Sequence, residues 1–344
     1  MSLILGIESS CDETAAALVT SDRHILAHRL AGQDSAHRPY GGVVPEIAAR
    51  AHIEILPGLI EDVLREAELP LEEVDAIAAT AGPGLIGGVM VGLVTAKGLA
   101  LAAGKPLIAL NHLEGHALSP MLVEPTLTYP YLLLLVSGGH CQLLLVEGVG
   151  RYRRIATTID DAAGEAFDKS AKLLGLGFPG GPAIERAAMS GNPAAVPLPR
   201  PLLGSDEPHF SFAGLKSAVL RARDAGTYAP EDIAASFQQA VVECLVDRTA
   251  RALRSTEGVT ALVIAGGVAA NQSVRSALEA VASDHGLPMV APPAWLCTDN
   301  AAMIAWAGAL RFERGLVDGL DAPARARWPL DPLAERARGA GVKA

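Results

Sequence analysis

Two histidines four residues apart carry the first chemical signal. In His112-Leu113-Glu114-Gly115-His116 both imidazoles fall on one face of a helix, as a metal site requires. A zinc-protease helix shares the spacing but places its glutamate directly after the first histidine. Here Leu113 fills that position and the acid comes one residue later, turned by about 100° around the helix. The same spacing also suits two rings that cap or hydrogen-bond locally. Asp299, in Cys297-Thr298-Asp299-Asn300, stands at the start of the last helix, where it serves either as an N-terminal cap or as a third ligand. Two histidines and one carboxylate make a facial set with open positions, suited to iron(II) or zinc.

Three small-residue turns follow or interrupt apolar runs: Ser9–Thr14 (SSCDET), Val136–His140 (VSGGH) and Ala265–Asn271 (AGGVAAN). Glycine at a strand end lets backbone N–H groups approach a phosphate, and a following helix adds its positive end. One such loop is usually a tight turn only; three, spread over both halves, match the layout of the actin-like ATPase fold. No GxxxxGK[ST] motif occurs, which excludes a P-loop. Asp12 and Glu13 lie in the first turn, as a solvated pair or as proton-transfer groups. Asp160, Asp161, Glu165 and Asp168 open a helix, where they offset its dipole or, for Asp168, bind a ligand hydroxyl or amine. Arg151–Arg154 (RYRR) and the arginines after Arg311 are the basic clusters, which a solvated face explains equally well.

The elements that must hold these groups follow a repeated rhythm. Residues Ser2–Thr20 read as a β-hairpin, Pro45–Glu68 as an exposed amphipathic helix or pair, and Asp75–Ala81 as a buried strand stopped by Gly82-Pro83-Gly84. A small-residue helix over Leu85–Ala103 and a strand over Pro106–Leu110 complete a βαβ unit. Tyr131–Glu147 restarts the pattern with two apolar runs around Ser137-Gly138-Gly139-His140. Helices are expected at Gly164–Leu174, Pro182–Met189, Gly214–Arg223 and Asp232–Arg254. A strand at Ala261–Ala265, a helix over Asn271–Ser283, a strand at Pro288–Ala291 and a helix over Thr298–Glu313 follow. The two hairpin openings predict a duplicated α/β chain with domains over 1–130 and 131–300 around a nucleotide cleft. Residues 301–344 would form a terminal helix and tail returning to the first domain.

Composition bounds the class. Of 344 residues half are hydrophobic and 19% charged, so a large core forms and disorder is excluded as the main state. Aromatics are 4%, which leaves the core to Ala, Val, Leu and Ile. The 28 Lys and Arg against 38 Asp and Glu give a net charge of −10, no global footprint for nucleic acid. Cys11, Cys141, Cys244 and Cys297 are scattered without a CxxC pair, and the N-terminus lacks the form of a signal peptide. Leu85–Ala103 carries Lys97 and five glycine or threonine interruptions, and is expected to be too short and too mixed to span a membrane. A cytoplasmic protein without membrane contact is the expectation.

Together, GIESSCDETAAALV, NHLEGHA, LVSGGHCQL, AGEAFDKSAKLLGLGFPGGP, FSFAGLKSAV, AGGVAANQSVR and CTDNAAMIAWAG resemble the universal tRNA adenosine threonylcarbamoyltransferase family, TsaD in bacteria. The likeness runs from about Leu3 to Gly315, and only the tail beyond Leu316 looks idiosyncratic. The resemblance implies an actin-like (ASKHA) fold and transfer of a threonylcarbamoyl group from threonylcarbamoyl-AMP to the exocyclic amine of adenosine 37, in tRNAs reading codons that begin with A. It implies one divalent metal, Fe2+ or else Zn2+, on His112, His116 and Asp299. Nucleotide contacts would fall to Leu135, Val136, Ser137, Gly138, Gly139, Asp168, Gly181, Glu185 and Asn271. Position 185 commonly carries Asp in the family, so this Glu is one methylene longer. Asp12 and Glu13 match an acidic pair used for positioning or as base. Implied partners are tRNA, a paralogous inactive ASKHA subunit (TsaB-like), a small P-loop ATPase (TsaE-like) and a separate synthase that supplies the adenylate. The displaced glutamate and the nucleotide loops weigh against a metallopeptidase, and the histidine pair against an ATP-using kinase of the same fold or a non-catalytic partner subunit.

Overall fold

Strand alternation sets the architecture of the first unit. In β1 (Leu3–Glu8) the side chains of Leu5 and Ile7 take one face and those of Ile4 and Glu8 the other. β1 pairs antiparallel with β2 (Glu13–Thr20), and β2 with β3 (Ile25–Gly32). A short α1 (Asp34–His37) precedes α2 (Pro45–Glu66), whose buried Ala48, His52, Leu56, Ile60 and Val63 recur at helical spacing. The chain continues through β4 (Ala76–Gly82), α3 (Ile86–Ala103) and β5 (Leu107–Asn111) into α4 (His112–Leu118) and α5 (Pro120–Val123). The sheet order is β3-β2-β1-β4-β5, with β1, β4 and β5 parallel. The computed structural model describes residues 1–40, 42–335 and 337.

The second unit spans Leu127–Cys297 and the stretch after Pro332, and it repeats this plan. β6 (Tyr131–Val136), β7 (Cys141–Gly148) and β8 (Arg151–Thr157) form an antiparallel meander. Four helices follow: α6 (Ala163–Leu174), α7 (Gly180–Ala188), α8 (Ala213–Ala225) and α9 (Pro230–Ser255). Then come β9 (Leu262–Ala265), α10 (Gln272–Asp284), β10 (Met289–Val290) and α11 (Ala294–Cys297). The order β10-β9-β6-β7-β8 is the first sheet's order over again, with β6, β9 and β10 parallel. Every residue of β6 is buried, and Phe167, Phe210, Phe212 and Phe237 fill the core on one side of this sheet.

Residues Thr298–Pro332 belong to the first unit. There α12 (Ala301–Phe312) packs on β1, β2 and β4. Leu5, Ile7, Leu56, Ile60 and Leu93 form a core on the α2 and α3 side. Gly6 and Gly308 set the approach on the other: a Cβ on Gly6 would lie 2.5 Å from the Ala301 carbonyl, and one on Gly308 2.6 Å from Ala78 Cβ.

Two strands and one helix depart from the sequence expectations. β3 mixes His28 and Arg29 into its run and β8 opens on RYRR, so neither shows the apolar alternation of a strand; both are sheet edges, where charge is tolerated. α3, expected to be too short and too mixed for a membrane, has the length and apolarity of a span, with 18 residues at mean hydropathy 1.7. Lys97 and the glycines do not outweigh its Val, Leu and Ala content. In the fold Val89, Leu93 and Ala96 are buried, and the helix packs on β4 and α2.

Candidate functional site

The histidine helix is fixed at both ends of its contact with α12. Asn111 caps α4, its Oδ1 accepting from the Leu113 N–H at 2.9 Å. Gly115 lets the two helices meet, since a Cβ there would lie 2.8 Å from Ile304 Cδ1. Glu114 accepts from Arg311 Nη1 at 3.0 Å, so the acid inside the histidine motif is an ion-pair partner in helix packing. At the start of α12 the cap is Asn300, whose Oδ1 accepts from the Met303 N–H at 2.9 Å. The capping role weighed for Asp299 is thus taken by its neighbour. Asp299 Oδ1 instead lies 3.0 Å from His116 Nε2 and 3.3 Å from His112 Nε2.

The two separations from Asp299 fit a shared ion. Two donors bonded to it at about 2.1 Å, at angles of about 90–110°, stand about 3.0–3.4 Å apart. The donor atoms of His112, His116 and Asp299 all lie within 4.8 Å of one another. On its far side, His112 Nδ1 is 3.0 Å from Glu8 Oε2 and 3.2 Å from Ser10 Oγ. A carboxylate on the outer nitrogen holds a proton there and leaves Nε2 for a metal. Glu8 is itself fully buried and accepts from the Ser10 N–H at 2.6 Å and from Thr80 Oγ1 at 2.5 Å. Glu8, Ser10 and Thr80 escaped the sequence reading; the usable signal was the alternation of β1, which puts Glu8 on the α12 face.

Electrostatics agree with a cation at this point. Burial alone would drive the Asp299 carboxyl up, but the His112 charge and the hydrogen bonds of both histidines hold it well below the usual carboxylate range. Burial would drive His112 down, yet Asp299 and Glu8 together keep it protonated well above the usual imidazole value. Glu13 goes the other way: burial first, then the charges of Asp299 and Asp12, push it to about 9. Asp12 and Glu13 thus sit in the turn from β1 to β2, with Glu13 in the field of Asp299.

In the second unit the glycine turns gather around the end of β6. The Ser137 carbonyl accepts from the Gly164 N–H at 3.2 Å, and a Cβ on Gly266 would collide with the Val136 carbonyl. Leu135 and Val136 are buried strand residues, whereas a Cβ on Gly138, Gly139, Gly181 or Gly267 would meet nothing within 4 Å. Asp168 Oδ1 accepts from the Gly180 N–H at 2.7 Å, and Glu185 Oε1 from the Gln272 N–H at 2.7 Å. Asn271 caps α10, accepting from the Val274 N–H at 3.0 Å and donating to Gln238 Oε1 at 2.8 Å. The loops at 137–139, 164 and 266 meet directly; Asp168 joins α6 to α7, and Glu185 joins α7 to the start of α10.

The RYRR arginines are already engaged. Arg151 Nη2 donates to the Glu147 carbonyl at 2.8 Å, Arg153 lies 3.8 Å from the Glu147 carboxylate, and Arg154 Nη2 donates to the Glu335 carbonyl at 2.5 Å. Of the tail arginines, Arg325 and Arg327 are exposed, while Arg336 and Arg338 lie outside the described residues.

A twice-repeated five-stranded α/β unit with a two-histidine, one-carboxylate group on the first unit defines a protein of the actin-like ATPase fold. Component A of the (R)-2-hydroxyglutaryl-CoA dehydratase of Acidaminococcus fermentans shares that fold, with a TM-score of 0.54 and 18% identity over 89% of this chain and 97% of that one. The family model described as TsaD, tRNA N6-adenosine threonylcarbamoyltransferase, matches residues 24–306, and the chain belongs to this family of transferases. It is 72% identical to the tRNA N6-adenosine threonylcarbamoyltransferase of Sphingopyxis alaskensis and 70% identical to that of Novosphingobium aromaticivorans, in each case over all of both chains.

Proposed function

We propose that this chain transfers a threonylcarbamoyl group from threonylcarbamoyl-AMP to N6 of adenosine 37 in tRNAs reading codons that begin with A. The full-length identity to relatives named for that transfer carries the reading. The adenosine N6 attacks the carbamoyl carbonyl, the bond from that carbon to the phosphate oxygen breaks, AMP leaves, and N6 loses a proton. N6 is a poor nucleophile because its lone pair is delocalised into the ring. A divalent ion, iron(II) or zinc, held by His112, His116 and Asp299 would supply Lewis acidity to an acyl oxygen.

The chain's own residues prepare that chemistry. Glu8 keeps the His112 ring oriented through Nδ1, and Ser10 and Thr80 keep Glu8 in place. Asp12 and Glu13 position the incoming amine or take up its proton, Glu13 doing so once a bound cation offsets the Asp299 charge that helps hold its own proton in place. For the nucleotide, the bare backbone at Ser137, Gly138, Gly139 and Gly181 suits phosphate, with α10 adding its positive end. Asp168, Glu185 and Asn271 suit hydroxyl and amine groups, beside the buried walls of Leu135 and Val136. The tRNA substrate implies the cytoplasm. A paralogous subunit and a small P-loop ATPase are the proposed partners, and a separate synthase the source of the adenylate. An exposed apolar row on α3, Ile86, Met90 and Val94 at helical spacing, supports a protein partner.

Mass spectrometry of nucleosides tests the reading. Metal-loaded chain, threonylcarbamoyl-AMP, the partner proteins and an unmodified transcript should yield threonylcarbamoyladenosine. The His112→Ala, His116→Ala double variant should lose both the copurifying metal and the product. A loaded wild-type mixture that forms none of this nucleoside overturns the assignment.

A further inference from the structure

After α12 the chain crosses the first unit as a strap from Leu316 to Pro332, with no regular helix or strand. It is pinned along its length. The Asp318 N–H donates to the Leu107 carbonyl at 2.8 Å, and its Oδ2 accepts from the Ala109 N–H at 2.9 Å. Lys97 Nζ donates to the Ala322 carbonyl at 2.6 Å, and the Arg325 N–H to the Ala81 carbonyl at 2.7 Å. The Gly84 N–H reaches the Ala326 carbonyl at 3.3 Å, and Asn111 Nδ2 the Trp328 carbonyl at 2.9 Å. Gly82 is bare, at φ +136°, because the Arg325 carbonyl fills the place of its Cβ.

Every pin on Arg325, Ala326 and Trp328 uses a main-chain group, which leaves the side chains of Arg325 and Arg327 for other work. Both residues are exposed, and neither forms an ion pair with a carboxylate among the described residues. The Arg325 guanidinium lies over the Trp328 ring, 4.5 Å from its centre. Several arginines elsewhere are paired, Arg248 and Arg251 with Asp247, Arg200 with Glu243 and Arg311 with Glu114, while Arg38, Arg186, Arg221 and Arg254 are exposed as Arg325 and Arg327 are. Two guanidinia without a carboxylate partner thus stand, in a chain of net charge −10, on a segment whose anchor, Asn111, directly precedes His112.

We infer that Arg325 and Arg327 form a phosphate-binding strap that holds the RNA backbone beside the histidine helix; this rests on the tRNA reading above. The guanidinium fork matches phosphate oxygens, and the two arginines flank a bend at Ala326. Ordering a free segment costs about 1–2 kcal/mol per residue, and the pins have already met that cost before RNA arrives. Phosphate contacts of this kind set orientation on the substrate without reading its sequence.

Binding of an unmodified tRNA transcript to the full chain, by fluorescence anisotropy at about 50 to 200 mM salt, tests the strap. Arg325→Ala with Arg327→Ala should weaken binding and flatten the slope of log K against log salt by about 1.4–1.8, the worth of two phosphates. Metal content and thermal midpoint should stay at wild-type values. The Arg325→Lys, Arg327→Lys pair should restore the slope, since it keeps both charges. An unchanged slope in the folded alanine pair overturns the strap while leaving the transferase reading intact, provided the wild type still makes the modified nucleoside. A slope that falls with the thermal midpoint and is not restored by lysine also overturns it, as a structural effect. Wild-type chain that neither binds nor modifies tRNA overturns both.

Discussion

Around His112 three acidic side chains compete for little positive charge. Glu8 and Asp299 share the imidazolium and stay ionised, while Glu13 keeps its proton to about 9 because burial and the charges of Asp299 and Asp12 oppose ionisation. The unfolded chain loses this proton near 4.5, so between about 4.5 and 9 the folded state binds more protons than the unfolded one. Stability contributed at this position is therefore complete below 4.5 and falls as pH rises toward 9. In metal-free chain the urea midpoint should drop from about pH 5 to about pH 8.5, and Glu13→Gln should flatten the drop. Loading wild-type chain with zinc should flatten it too, because the ion offsets Asp299. A Glu13→Gln chain that keeps the full wild-type pH slope would place the titration elsewhere.

Among the elements, α12 is held close to its sheet, and Gly6 sets the distance. The atom a Gly6 side chain would meet is a helix carbonyl, which cannot rotate aside, so Gly6→Ala must push the N-terminal turn of α12 outward and Asp299 with it. The expected cost is about 1–3 kcal/mol or more, read as a lower thermal midpoint together with reduced metal per chain. Gly98→Ala in α3 is the control: a Cβ there meets nothing within 4 Å, so helix propensity should leave the midpoint equal or higher. Equal behaviour of the two variants would refute the packing argument. Such contacts explain what the sequence could and could not show. The pairing of His112 with His116 is legible because four residues on a helix fix it, β4 and α3 because their apolar runs end at Gly82 and Gly104, and β5 because its apolar run starts after Gly104 and Pro106. Glu8 is not, because nothing local in GIESS tells that its carboxylate meets a ring 104 positions away. Arginines hid β8, since edge strands tolerate the charges that a strand pattern leaves out. Asp299 could be read as a cap because Asn300, the true cap, sits one residue beyond it.

For the whole molecule charge is the governing quantity. At −10, with the RYRR arginines engaged, the isolated chain should bind tRNA weakly and with a shallow salt slope. Adding the proposed paralogous subunit and P-loop ATPase should tighten binding and steepen the slope if the composite surface supplies further cations. Isotherms over a salt series decide this; tight, steeply salt-dependent binding by the chain alone would mean a basic surface that net charge conceals. The order in which the first unit is threaded has a consequence for synthesis. Its sheet is written in the first 126 residues, but α12, Asp299 and the strap come from 298–332, after nearly all of the second unit. A nascent chain leaves the ribosome N-terminus first, so the second unit holds almost its full complement of residues while the first still lacks one covering helix. The unit that begins the chain is therefore the last to close. His112, His116 and Asp299 come together only at the end of translation, and a message cut short near codon 297 yields an exposed sheet face and no Asp299 to complete the group.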